Sequence, residues 1–563
     1  MTPIKQVLAE CLEEALRQAS GVDVPAADVV ASFEIPREER FGDISSHSVL
    51  KLAKQAKTAP RPLADKTAAL LSESLGHAPL AGRVERIAVE GPGFINFYYS
   101  KEELCRVLAK MGEQKDAFGR PSVPKKKILL EFVSANPTGP LTVAHGRQAA
   151  LGDSLALILE FCGHEVSREY YNNDEGVQIE TLGKSTALRA EEILSGKKSE
   201  ALPENYYQGA YLTETAGTLI LRRGREAFQG LPPEQRVKEC TDFAKEYILE
   251  GIKKDLEDFG VRFDRYYSQA ALMKSGQVEK TLELLRQKGF VYESEGATWF
   301  ASTRLGDDKD RVLIKSDKAY TYLMPDIAYH RDKLSRGYDL LINILGPDHH
   351  GYIARLKAAV EALGNSRGQL EILIAQLVTL FEGEKTLRMS TRAGEFVTLR
   401  EIMDEVGRDA GRFFFLMRKF DAHLDFDLAL AKSQTVDNPV FYIQYAHARI
   451  ESIKKTYLEK NGRSGRPDPQ ALSRLGAPSE IQVLRLLSQF EDTVLAAAKT
   501  LEPFRLVHYL KELAAAFHKF YTENRVVTDD VSLTQARMTL AEGVQQVLRT
   551  GLRLLGVSAP LKM

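Results

Sequence analysis

Ile128-Leu-Leu-Glu-Phe-Val-Ser-Ala-Asn-Pro-Thr-Gly-Pro-Leu-Thr-Val-Ala-His-Gly-Arg147 is the stretch on which the fold turns. Its first six residues make a short apolar run, the pattern of a parallel strand buried on both faces. The Pro and Gly residues at 137, 139 and 140 then impose a loop. A helix is expected from about residue 146 to 162, closed by Gly163 as a C-cap. Together they form a strand–loop–helix unit. A second unit occurs where Leu340–Leu345 meets Gly346-Pro-Asp-His-His-Gly-Tyr352, and a third strand is expected over residues 372–380. Strands alternating with helices predict an α/β fold with an open, Rossmann-like parallel sheet.

Outward from this core the pattern changes on both sides. Residues 1–120 read as a small α+β module, in which Val84-Glu-Arg-Ile-Ala-Val-Glu-Gly-Pro-Gly-Phe-Ile-Asn-Phe-Tyr-Tyr99 predicts two strands around a Gly-Pro-Gly turn. Residues 121–425 hold the sheet domain, and the stretch from about 165 to 310 reads as a largely helical insertion. From 426 to 563 apolar residues recur at three- and four-residue spacing, which predicts a helical bundle with a polar loop near 462–469.

Composition sets the limits. A chain of 563 residues is too long for one core and predicts several domains. With 44% hydrophobic and 27% charged residues it has a soluble balance. The net charge of -1 offers no bulk attraction to nucleic acid, so any RNA-binding role must rest on particular residues. Cys11, Cys105, Cys162 and Cys240 are scattered without a CxxC pair. That pattern suggests neither a metal site nor a disulfide framework, and fits a cytoplasmic location. The first twenty residues alternate acids and bases along an amphipathic helix, unlike a signal peptide. No apolar run approaches the ~20 residues of a membrane span.

Two segments could carry chemistry. Residues 134–147 leave the C-terminal end of a buried strand and enter a helix. Ligands bind in such crevices of open α/β sheets, and helix N-termini offer N–H groups to phosphates. There Gly146 allows close backbone approach, and Thr142 and His145 can donate to phosphate oxygens. The second segment, Glu384-Lys-Thr-Leu-Arg-Met-Ser-Thr-Arg-Ala-Gly394, clusters Lys385, Arg388 and Arg392 on a Gly-containing loop able to fold over a triphosphate. Read singly, each is an ordinary loop, one rich in Pro and Gly and the other solvated and basic.

Read together, they resemble the paired ATP-binding motifs of class I aminoacyl-tRNA synthetases. Leu141-Thr-Val-Ala-His-Gly-Arg147 stands at the HIGH motif, and Arg388-Met-Ser-Thr-Arg392 at the KMSKS loop. Four further segments are similar to arginyl-tRNA synthetases in particular. They are Glu131-Phe-Val-Ser-Ala-Asn-Pro-Thr-Gly-Pro140, Arg168-Glu-Tyr-Tyr-Asn-Asn-Asp174, Tyr322-Leu-Met-Pro-Asp-Ile-Ala-Tyr-His330 and Asn438-Pro-Val-Phe-Tyr-Ile-Gln-Tyr-Ala-His-Ala-Arg449. The C-terminal Gly556-Val-Ser-Ala-Pro-Leu-Lys-Met563 is similar as well.

The resemblance implies a monomeric arginine–tRNA ligase using ATP with Mg²⁺. It assigns catalysis to Thr142, His145, Arg388 and Ser390, and ATP contacts to Pro137, Ala144, Gly146, Lys385 and Met389. It places arginine against Glu131 and Asn136 at the amino-acid end, Tyr322 and Asp326 at the guanidinium, and His349 or His350 beside them. A guanidinium is a permanent cation with five donors, so a carboxylate in its pocket is physically required. The resemblance gives tRNA to Phe94 and Asn96 of the N-terminal module, and to Tyr442, Tyr445, Tyr521 and Met563 of the bundle. No metal-ligand set is implied.

The sequence departs from the family pattern at Thr142, where HIGH has histidine, at Ala144, where it has glycine, and at Arg388 and Thr391, where KMSKS has lysines. Two other readings follow from this: an impaired paralogue that binds tRNA without turnover, and a class I synthetase for another amino acid.

Overall fold

The computed structural model describes residues 4–36, 38–197, 203, 205–383, 385–387, 397–461 and 471–563. Its centre is a five-stranded, all-parallel sheet. The strands are β1 (Lys127–Glu131), β2 (Glu165–Asn172), β3 (Arg265–Ser268), β4 (Leu340–Leu345) and β5 (Leu370–Ile374). In space they run β5-β4-β1-β2-β3. The order reverses between β1 and β4, so the loops leaving these two strands part and open a crevice at their C-terminal ends.

β1 forms because Ile128, Leu129 and Leu130 are buried on both faces. It ends sooner than the apolar run does. Val133 and Ser134 have φ of 67° and 42°, left-handed values that turn the chain out of the sheet. For a β-branched residue this is strained backbone. Side-chain bonds pin it: Ser134 Oγ donates to Glu131 Oε1 at 3.0 Å and accepts from the Tyr171 N–H at 3.1 Å.

The loop leads into α1 (Val143–Phe161), which begins three residues earlier than expected. Thr142 explains the early start. Its backbone is extended and its N–H donates to His145 Nδ1 at 3.1 Å, so it serves as the N-cap. Gly163, at φ 93°, closes the helix as expected. The strand expected over 372–380 is two strands in different sheets. After β5 the chain crosses at Ala375–Leu377, where the Gln376 N–H donates to the Phe420 carbonyl at 2.8 Å. Val378–Glu382 then pairs in parallel with Leu424–Asp427.

Between β2 and β3 lie the helices Val177–Ser195, Tyr211–Arg223 and Pro233–Asp258. α2 (Leu323–Ser335) precedes β4, and α3 (Tyr352–Ala362) follows it. α4 (Leu399–Phe415) packs on α1, and its Arg412 is fully buried. That guanidinium bonds Asp153 at 2.6 Å and the carbonyls of Phe259 and Leu555 at 3.1 Å each. One side chain thus ties the first helix, the insertion and the C-terminal tail together.

The N-terminal module is a four-stranded antiparallel sheet with helices, and Val84–Glu90 and Phe94–Tyr99 flank the Gly-Pro-Gly turn as read. It docks on the C-terminal bundle. Lys5 pairs with Asp492, Lys110 with Glu491 at 2.8 Å, and Arg549 with Asp116 at 2.8 Å. The Phe118 ring stacks on Phe490, 6.2 Å between centroids. Among the described residues no helix is long and apolar enough to cross a membrane.

Candidate active site

The crevice between β1 and β4 is lined from both sides. From the α1 side comes His145. Its Nδ1 accepts the Thr142 N–H, which leaves the ring proton on Nε2. Burial pushes its pKa down to about 4, with Asp348 across the crevice only partly opposing this. At neutral pH the side chain is therefore a neutral imidazole with a single N–H to donate.

Gly146 also has a packing role. A Cβ there would sit 2.8 Å from Leu399 Cδ1 and 3.1 Å from Phe415 Cε2, so the missing side chain lets α1 pack on α4. Arg147 is buried beside it and donates to the carbonyls of Gln376 at 2.8 Å, Lys419 at 2.7 Å and Ala422 at 2.9 Å. Burial pushes its pKa down to about 10, so it stays charged at neutral pH. It clamps the crossover after β5 to the crevice helix. Sequence reasoning gave it no role, because a buried arginine and an exposed one read alike.

Asp326 lies on α2, deep in the crevice. Burial, with the charge of Glu131 adding to it, pushes its pKa up to about 7, against the pull of Lys333 and Arg355. Among the described residues no side chain donates a hydrogen bond to its carboxylate. Its field reaches the hydroxyls of Tyr171, on β2, and Tyr352, on α3. A deep carboxylate without its own cation is costly unless a ligand supplies one. Tyr171 and Tyr352 were not singled out from the sequence.

The remaining arginine-site expectations divide. Glu131 is buried at the end of β1, where it bonds Lys333 and Ser134. Asn136 donates to Gln178 Oε1 at 2.5 Å, which links the loop to the insertion. Tyr322 stands at the N-cap of α2 and is 66% exposed, and both it and Asp326 act on the Tyr352 hydroxyl. His350 is exposed, because the turn Pro347–His349 carries it to the outer side. It borders a groove of about 630 Å³ together with Arg311, Arg355, Lys357 and Arg367. His349 packs edge-on against Tyr352 at 5.2 Å.

Pro137 and Ala144 lie on the loop and first turn of the crevice. Lys385 is exposed on the strand Lys385–Leu387, paired opposite Glu382. Arg388, Met389, Ser390, Thr391 and Arg392 lie outside the described residues, as does the loop near 462–469. Among the described residues no group of three or more His, Cys, Asp or Glu is arranged to hold a metal ion.

Of the expected RNA contacts, Phe94 is half-buried, whereas Asn96 is only 2% exposed and its amide oxygen has no hydrogen-bond partner. Strand alternation puts Asn96 on the face of Phe94 and Tyr98, opposite the core residues Ile95 and Phe97. On the bundle, Tyr442, Tyr445 and Tyr521 are half-buried around His518 and Arg449. Tyr442 and Tyr445 lie 4.5 and 5.8 Å from the His518 ring, and the Arg449 guanidinium covers Tyr445 and Tyr521 at 5.0 and 4.6 Å. The C-terminal tail is held against the same helix, since Gln444 donates to the Ser558 carbonyl at 2.9 Å. Met563 at its end is 51% exposed.

Comparisons with known proteins agree along the whole chain. Residues 5–99 match the family model for the arginyl tRNA synthetase N terminal domain, and residues 107–417 match that for the class I (R) tRNA synthetase catalytic domain. Residues 443–563 match the DALR anticodon binding domain. The arginine–tRNA ligase of Desulfosudis oleivorans is 44% identical over 565 residues, covering 99% of this chain and 100% of its own. That of Syntrophotalea carbinolica is 43% identical, with both chains fully covered. The arginyl-tRNA synthetase structure from Thermus thermophilus shares the fold, with a TM-score of 0.76 at 23% identity and full coverage of both chains. With a catalytic-domain model spanning over half the sequence and full-length relatives on every side, the chain belongs to the class I arginyl-tRNA synthetases.

Proposed function

We propose that this protein is an arginine–tRNA ligase, acting as a monomer in the cytoplasm. The observation that carries the reading is the Asp326 carboxylate, held in the crevice near Glu131 with no ion pair or side-chain hydrogen bond among the described residues. A guanidinium is the natural occupant of such a site, because it brings a permanent charge and a planar fork of donors.

In the first step an oxygen of the arginine carboxylate attacks the α-phosphorus of ATP. The bond to the β-phosphate oxygen breaks, and pyrophosphate leaves with that electron pair. In the second step the terminal ribose hydroxyl of tRNA attacks the arginyl carbonyl, loses its proton, and AMP leaves. Neither step needs a side-chain nucleophile. Asp326 anchors the guanidinium, and Glu131 faces the α-amino end. His145 Nε2–H donates to the phosphate oxygens as charge builds there, at the N-terminus of α1. Mg²⁺ enters as part of the substrate, carried by the triphosphate, and supplies charge neutralisation. Lys385, on its strand, and Arg388, Met389 and Ser390, which follow it in the sequence, supply further contacts to ATP, with Lys385 and Arg388 neutralising phosphate charge.

For tRNA, the Tyr442–Tyr445–Tyr521 cluster with Arg449 offers stacking faces to unpaired bases, and Phe94 of the N-terminal module offers another. Thr142 suits its place in this chain: it caps α1 and frees His145 to be the phosphate donor.

The test is charging of tRNA with arginine at saturating ATP, together with arginine-dependent pyrophosphate exchange in the presence of tRNA. Charging by arginine, but not by lysine or citrulline, is expected. tRNA binding without turnover would replace this reading with that of a non-catalytic binder. Charging with another amino acid would overturn the Asp326 assignment. Light scattering at working concentration tests the monomer.

A further inference from the structure

A polar row crosses the sheet at its C-terminal edge. In register, Asn343 of β4 lies beside Glu131 of β1, Glu131 beside Glu169 of β2, and Glu169 beside Arg265 of β3. Glu131 and Glu169 are 5% and 1% exposed, so two carboxylates sit side by side with little water to screen them. Such an arrangement persists only if cations are built in.

α2 supplies them three residues apart, on one face. Arg336, just past its end, bonds Glu169 through both terminal nitrogens, at 2.6 and 2.9 Å. Lys333, with no exposed surface, bonds Glu131 and also donates to Asn343 Oδ1 at 3.1 Å. Its ammonium stands 4.1 Å from the centre of the Tyr329 ring. From Lys333 the connection runs onward. Asn343 Nδ2 donates to His330 Nε2 at 3.0 Å, and His330 Nδ1 donates to the Asp326 carbonyl at 2.7 Å. The links from Glu131 to His330 are buried and the last, to the Asp326 carbonyl, is partly so; each donor and acceptor is used in one sense only. The imidazole is neutral, because burial and Lys333 push its pKa down to about 3.

The chain of contacts therefore begins at the carboxylate facing one end of the amino-acid pocket and ends at the backbone of the residue facing the other. We propose that Lys333 is a positioning residue for the amino-acid substrate: through Asn343 and His330 it fixes the separation between Glu131 and Asp326, and so sets the length of side chain the pocket accepts. This rests on the arginine reading above and names a device within that site.

A lysine that served only to fill the core would have no reason to be joined to both ends. Lys333→Met fills a similar volume but leaves the Glu131 carboxylate buried without its cation, so the fold of the variant is checked by circular dichroism before its kinetics are read. Asn343→Ser, which keeps the ion pair and cuts only the onward link, separates positioning from stability. The positive charge lost with Lys333 acts on Asp326 alongside Glu131 from β1, Arg355 and Tyr352 from α3, and Tyr171 from β2.

The experiment uses full-length Lys333→Met and, as a milder change that keeps the lysine, Asn343→Ser. Steady-state charging is measured with arginine, with its analogue one methylene shorter and with the one longer. Wild type reports separately on the underlying reading: if it fails to charge arginine, that reading falls first. Given an active wild type, both variants are expected to raise the KM for arginine tenfold or more while the KM for ATP stays within twofold. Discrimination between arginine and the analogues should fall by a similar factor. In Lys333→Met the acidic limb of kcat/KM should also move to higher pH, because Asp326 loses a neighbouring cation. Lys333→Arg should restore part of the discrimination. If Lys333→Met does not fold, Asn343→Ser decides alone. Unchanged arginine KM and unchanged discrimination in a folded variant overturn the proposal, as does a fall in kcat alone.

Discussion

Titrating Asp326 links the geometry directly to a measurement. Its carboxyl holds a proton up to about pH 7, because burial and the Glu131 charge disfavour the ionised form. A guanidinium bound against it favours that form, so arginine must expel the proton. With a pKa of about 7, the free site is ionised in roughly one molecule in ten at pH 6, half at pH 7 and nine in ten at pH 8. Only the ionised fraction is competent, and the apparent Kd is the intrinsic value divided by that fraction. Arginine should bind about elevenfold more weakly at pH 6 than at the alkaline limit, and about twofold more weakly at pH 7. Proton release should fall from about 0.9 per arginine at pH 6 to about 0.5 at pH 7 and 0.1 at pH 8. Isothermal titration calorimetry in buffers of different ionisation enthalpy reads both quantities at once. Asp326→Asn should abolish binding and proton release together. A Kd flat between pH 6 and 8, with heats independent of buffer, would refute the placement of the guanidinium on this carboxylate.

Three further outcomes follow from the geometry. His145→Ala should lower kcat by about 10²–10³ with the KM for arginine little changed, as for loss of one donor to a developing charge; in wild type no imidazole titration should appear in kcat between about pH 5.5 and 8, since the His145 pKa lies near 4. Arg147→Met leaves the carbonyls of Gln376, Lys419 and Ala422 without their donor, at about 1–3 kcal/mol each, so urea unfolding should show a loss of at least about 3 kcal/mol. Tyr445→Ala removes a stacking face worth about 1–3 kcal/mol, and should raise the Kd for tRNA by roughly 5- to 150-fold in filter binding while pyrophosphate exchange at saturating tRNA is kept.

The sequence carried the architecture well where one element needed one signal. The apolar run at 128–133 and the Gly163 cap announced β1 and the end of α1, and the Gly-Pro-Gly turn announced its hairpin. It failed where two outcomes share a pattern. Residues 370–382 are largely apolar, and the lone Gln376 does not by itself say that the chain changes sheets there. At the site, the links joining Lys333, Asn343 and His330 were not legible: they depend on the register of β1 against β4, a long-range property. At Gly146 a glycine entering a helix reads only as close approach, and Leu399 and Phe415, packed behind it, belong to α4, far along the chain. A His-His pair gives no sign of which ring a turn sends outward, and here it is His350.

Docking of the N-terminal module on the C-terminal bundle has a bearing on how the molecule is made. Lys5 and Asp492 are 487 residues apart in the chain. At about 5–20 residues per second, a ribosome needs roughly 25–100 s to travel from one to the other. For all that time the first module to emerge waits with its docking face uncovered, and the ring of domains can shut only when the final helices are released.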